Sequence, residues 1–153
     1  MVWGTLATLP LLLGLVWMLA SNSPPIRRLV ALVVDQMGPL LASRTMLELG
    51  LLAALAGVSE EILFRGVVQV GLSRWLSQGW SLLVASVVFG LVHFASRAYA
   101  VVAGIMGLYL GLLFLLQSNL LAPIITHGLY DFVALLYVAR RYRISHGDPV
   151  PRF

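Results

Sequence analysis

Six ionisable side chains, Glu60, Glu61, Arg65, His93, His127 and Asp131, interrupt segments of this chain that otherwise read as membrane-spanning helices. A charge at mid-bilayer costs between about 3 and more than 10 kcal/mol, depending on how it is estimated. Whatever the chain folds into must give these groups partners. The default reading of such residues is a buried active site.

The surrounding sequence leaves little choice of environment. Of 153 residues, 60% are hydrophobic and only 10% charged, with a mean hydropathy of +0.96. A soluble domain is about 45–50% apolar and about 25% charged. The chain is therefore expected to be an all-α, polytopic membrane bundle. Cysteine is absent, so there is no disulfide framework, and a metal would need histidine and carboxylate ligands. The net charge of +4 comes from arginine alone, as there is no lysine. These arginines fall mostly in loops and near the C-terminus, which fits membrane topology and anionic headgroups rather than nucleic acid.

Five spans and one interfacial helix are expected, forming a single domain over residues 1–153. Val2 to Ala20 is apolar, lacks a basic N-terminal flank and is followed by Arg27-Arg28, the reverse of a cleavable signal peptide. It reads as a retained first span with its N-terminus outside. Ser21-Asn22-Ser23-Pro24-Pro25 breaks the helix. Residues 26–42 carry Arg27, Arg28, Asp35 and Gly38-Pro39, too charged and short to span, and read as a helix lying on the bilayer. Thr45 to Val70 is a long helix of about 39 Å. Further spans are expected at Trp80–Ser96, Tyr99–Gln117 and Asn119–Val138, antiparallel because their linkers are short. The fourth span has small residues at Ala103, Gly107 and Gly111, a spacing that lets helices approach closely but says nothing about chemistry. Arg140 to Phe153 reads as a polar, frayed tail.

On a helix, residues four apart share a face, so Glu61 and Arg65 can pair. Glu60 lies about 100° around and is free to face another neighbour. One carboxylate thus reads as structural and the other as chemical. A lone histidine in an apolar helix is most often a packing residue, and His93 taken alone earns no more than that. His127 and Asp131, four apart, could be metal ligands or a histidine–carboxylate couple. His146 lies in the tail and reads as non-catalytic. Counting rise from the 71–79 side puts Glu60, His93, His127 and Asp131 about 15, 20, 12 and 18 Å deep, in one layer.

A carboxylate beside an imidazole can deprotonate a water for attack on an amide. His127 and Asp131 could then polarise the carbonyl or hold the oxyanion. Glu60, His93 and His127 are also the candidates for a divalent metal such as Zn, with the histidines as ligands and Glu60 as base. A Glu-activated water without metal uses the same residues.

Ser59-Glu60-Glu61-Ile62-Leu63-Phe64-Arg65-Gly66 resembles the first motif of the CPBP intramembrane proteases, which include the CAAX prenyl proteases and the Abi-type bacteriocin-processing proteins. Phe89 to His93 is similar to the second motif. His127 to Asp131 is similar to the third, in which Asn is common at the last position. The match covers residues from about 45 to 138. The resemblance implies endopeptidase activity within a multi-pass membrane protein, typified by release of a C-terminal tripeptide, in a plasma membrane of prokaryotic type. It implies a membrane protein or lipidated peptide as substrate, with CAAX-type or leader-peptide processing as the reaction. It further implies that Glu60 and His93 activate the water, that Glu61 and Arg65 support the site, and that His127 helps form the oxyanion site. Asp131 is a departure: ionised, it repels an oxyanion, so it must be protonated or orient His127.

Two other classes use the same residues. A non-enzymatic immunity or scaffold protein would keep the site as a structural network. An ion or proton carrier would use intramembrane Glu and His for transfer, although neither broken-helix pairs nor a charge ladder appears. Alternating sides from an outside N-terminus put Arg27, Arg28, Arg44, Arg97, Arg140, Arg141, Arg143 and Arg152 inside and Arg74 outside. That orientation sets the site nearer the outer face, whereas the family resemblance suggests cytoplasmic access.

Overall fold

The computed structural model describes residues 2–146, which form helices and short turns with no strand among them. The helices are α1 (Val2–Ala20), α2 (Pro24–Leu41), α3 (Met46–Glu61), α5 (Gln78–Val92), α6 (Arg97–Gln117) and α7 (Leu121–His146). Between α3 and α5, a π-helical segment (Ile62–Gln69) and the short α4 (Val70–Leu72) prolong α3 into one rod.

Local chemistry sets the helix ends. Thr45 and Glu48 form a reciprocal capping box at the start of α3. Ser77 and Ser96 accept from the backbone of Trp80 and Tyr99 to open α5 and α6. Ser118 closes α6 in the left-handed region (φ 52°), and Asn119 then accepts from Ala122 N–H to begin α7.

Three helices are long and apolar enough to cross a bilayer unaided: Val2–Ala20, Arg97–Gln117 and Leu121–His146. Of the other two expected spans, α5 is apolar but only 15 residues long. The α3 rod has the length but carries Glu60, Glu61 and Arg65 in its middle. The expected span to Ser96 ends at Val92, because His93 leaves helical geometry and Ser96 already caps the next helix. The tail expected from Arg140 is helical to His146. Arg143 is buried there, donating from Nε to Ala42 O and from Nη2 to Arg44 O (3.0 Å), which ties α7 to the carbonyls at the end of α2. The last seven residues, with Arg152, lie outside the described part.

Antiparallel pairs build the bundle. α3 runs along α7 with Gly57 against Gly128; a Cβ on Gly57 would come within 2.9 Å of Gly128 N. α5 runs along α6 with Gly90 against Ala100 and Gly104, where a Cβ would meet Ala100 O at 2.5 Å. α1, in contrast, lies along α7 in the same direction: Thr126 Oγ1 donates to Gly4 O (2.8 Å) near the start of both helices, and Met18 and Ala20 share a cavity with Tyr137 and Arg141 near their ends. α2 crosses α7 instead of following it. Arg27 and Arg141 line one cavity, Gly38 packs on Tyr142, and Ala42 O accepts from Arg143. Residues spread over about 22 Å of α2 thus gather round the last turns of α7, as in a helix laid across the end of a bundle.

Leu41, Leu49, Val138 and Ala139 form a core beneath that crossing, and Phe64, Phe89 and Ala103 form a second one deeper in. The exterior is apolar, with Leu6, Leu13, Leu47, Leu55, Ile105 and Leu116 among the exposed side chains. Such an exterior, together with the candidate spans, belongs to an integral membrane protein.

Candidate active site

The α3 rod is wound as a π-helix immediately after Glu60 and Glu61. Val70 N–H reaches back five residues to Arg65 O, the hydrogen bond of a π-helix, and this geometry runs across Phe64-Arg65-Gly66. π-Helical turns are rare and frequently lie at functional sites. No pattern in the side chains announces this one.

The innermost group is Glu61, Arg65 and His127, whose side chains are 0%, 2% and 4% accessible. Glu61 Oε1 accepts from Arg65 Nη1 at 2.7 Å and stands 2.8 Å from His127 Nδ1. Arg65 also donates from Nη2 to Gly107 O (2.8 Å), and one turn along Gln69 Nε2 donates to Gly111 O (3.3 Å). A Cβ on Gly107 would stand 3.3 Å from Phe89 and Ser86, so the glycine lets α5 sit close beside the bonded carbonyl. A Cβ on Gly111 would come within 2.7 Å of Gln69 Oε1. The small-residue face of α6 therefore does more than let helices approach. It receives the guanidinium.

A second group lies outward of the first. Glu60, His93 and Asp131 are 28%, 27% and 26% accessible. His93 Nδ1 stands 2.8 Å from Phe89 O, and a carbonyl only accepts, so that nitrogen carries a proton. Its Nε2 faces Glu60 Oε2 at 3.3 Å. Glu60 and His93 consequently hold one proton between them, on the carboxyl or as an imidazolium. Among the described residues Glu60 Oε2 has no protein partner besides His93 Nε2, which leaves it a free lone pair for a water.

Asp131 Oδ2 faces His127 Nε2 at 3.3 Å. An imidazolium at His127 satisfies Glu61 on one edge and Asp131 on the other. Glu61, Arg65, His127 and Asp131 then sum to zero charge, which a dry site demands. The carboxylate faces the imidazole, as an orienting group does.

Phe89 holds the two groups together. Its ring stacks on His93 (4.4 Å between centroids), meets His127 edge-on (6.0 Å), packs on Phe64 (4.8 Å) and lies under the Arg65 guanidinium at 4.8 Å.

All six expected residues are thus gathered by α3, α5 and α7, but grouped differently from the expectation. His127 is bonded to Glu61 and belongs with the buried ion pair, not with Glu60. His93 is the residue that ends α5, on the same side as Arg97, so the outer group faces the arginine-rich end of the bundle. His146 stacks on Tyr142 away from the site. Gln69 and the Gly107 and Gly111 carbonyls were not foreseen, because their roles depend on packing between helices 42 residues apart in sequence.

The metal expectation meets a different difficulty. Both ring nitrogens of His127 face carboxylates, and among the described residues no group of three or more His, Asp or Glu side chains is disposed to hold an ion. As arranged, Glu60, His93 and His127 do not fit a shared metal.

Fold and site together define a helical membrane protein with a partly accessible Glu–His pair set on a closed, neutral charge cluster. Residues 42–133 match the family described as Rce1-like, type II CAAX prenyl endopeptidase, and the chain belongs to that family, which makes it a protease. The matched stretch runs from the end of α2 into α7 and contains all six residues. No curated protein and no solved structure matches the chain.

Proposed function

We propose that the chain is an intramembrane endopeptidase that hydrolyses a membrane-associated protein or peptide with a water activated by Glu60 and His93. The observation that carries the proposal is the accessible Glu60–His93 pair, 3.3 Å apart, beside a buried cluster whose charges are already matched. Glu60 as carboxylate takes one proton from water while the oxygen forms its bond to the scissile carbonyl carbon. His93, held by the Phe89 carbonyl and ring, orients the carboxylate and exchanges the shared proton. The new oxyanion accepts from His127 Nε2–H in place of Asp131, which gives up that contact as the charge develops, while Glu61 stabilises the imidazolium from Nδ1. When the C–N bond breaks, the leaving nitrogen takes the proton that Glu60 acquired. No step calls on a metal.

A lipidated C-terminal peptide is the substrate class that family membership supports. The test is release of the C-terminal tripeptide from a farnesylated CAAX peptide by protein reconstituted in liposomes. Glu60→Ala should lower the rate by at least about a hundredfold, as loss of a general base does. A rate equal to the parent's would reject Glu60 as the base.

A further inference from the structure

Among the arginines at the α2 end of the bundle, some are committed and some are not. Arg44 pairs with Glu48, and Arg143 is held by two carbonyls. Arg27 on α2 and Arg141 on α7 are exposed and, among the described residues, have no carboxylate within ion-pair distance. They nevertheless line one cavity of about 340 Å³, formed where the end of α1, α2 and the end of α7 converge. Ser145 and Asn22 add polar groups to its wall, and Val34 and Tyr137 add apolar surface. Asp35 is its one acidic residue and pairs with neither arginine.

We propose that this cavity is a headgroup site for an anionic phospholipid, with Arg27 and Arg141 receiving the phosphodiester. Three features favour that occupant. The two arginines less Asp35 leave a charge of +1, which complements a lipid bearing one net negative charge. The cavity lies at the end of the bundle where α2 crosses, the level at which headgroups meet a membrane protein. Exposed Leu13, Val16 and Trp17 on α1 continue apolar surface away from it towards the bilayer interior, where acyl chains lie, and an exposed Trp suits the interface. Guanidinium groups bind phosphate with directed hydrogen bonds, and basic pockets between helices near the headgroup level are where such lipids bind.

The site stands apart from the six residues of the active site, so its test does not depend on proteolysis. Binding of phosphatidylglycerol and of phosphatidylcholine to the full chain in a neutral detergent, read by native mass spectrometry, should favour phosphatidylglycerol. Replacing both residues (Arg27→Gln with Arg141→Gln) should lower its affinity by about thirtyfold, on the order of fivefold per arginine. The control pair, Arg28→Gln with Arg140→Gln, removes the same charge from exposed positions outside the cavity and should change binding by much less. Equal affinity for both lipids, undiminished binding in the first pair, or an equal loss in the control pair would each overturn the site. Thermal melts of both double variants confirm that folded protein is compared.

Discussion

Glu61 carries more than its share of the charge cluster. One of its oxygens serves Arg65 and His127 at once, at 2.7 and 2.8 Å, and its side chain is wholly buried. Glu61→Ala should strand both partners and cost about 3–5 kcal/mol, the usual penalty for leaving a buried charge uncompensated. A fall in the detergent melting temperature and in the yield of folded protein checks this; an unchanged melt would show that the cluster does not hold the helices. The Glu61–Arg65 contact follows from their spacing, because four residues bring two side chains to one helix face. The same rule anticipates His127 with Asp131. It is silent on the Glu61–His127 bond, which joins residues 66 apart in sequence and depends on how α3 meets α7. That is why the division of the site into an inner and an outer group differs from the one the spacing suggests.

Apolar runs and turn residues locate every helix, but their ends answer to contacts that no run displays. α5 stops at Val92 because His93 turns its ring back to the Phe89 carbonyl, and α7 continues past Arg140 because Arg143 is anchored by α2. The π-helical segment has no counterpart in the hydrophobic pattern at all. Helix pairing, by contrast, depends on a few small residues. Gly57→Ala should push α3 from α7, since the added carbon would lie 2.9 Å from Gly128 N, and overpacking of this kind costs about 1–3 kcal/mol. Gly14→Ala, which meets nothing within 4 Å, should leave the melt unchanged or slightly raised. Equal effects at the two positions would contradict the close α3–α7 approach.

Viewed as a whole, the molecule is polarised. Among the described residues, Arg27, Arg28, Arg44, Arg97, Arg140, Arg141 and Arg143 lie at one end and Arg74 alone at the other. By the positive-inside rule the first end is expected to be cytoplasmic. Since α5 is too short to cross about 30 Å of hydrocarbon and ends at His93, the outer group of the site faces that end. Cysteines introduced at Ser96 should therefore label from the cytoplasmic side, and those at Gly79 and Ser118 from the opposite one. Labelling of Gly79→Cys from the cytoplasm would reverse the orientation. In the proposed mechanism Glu60 does the chemistry, and the buried cluster beside it keeps the site in shape. The most direct test is to measure tripeptide release and melting temperature together on purified Glu60→Gln. This variant should melt within a degree or two of the parent and cleave about a hundredfold or more slower; cleavage at the parent's rate from equally folded protein would rule out Glu60 as the base.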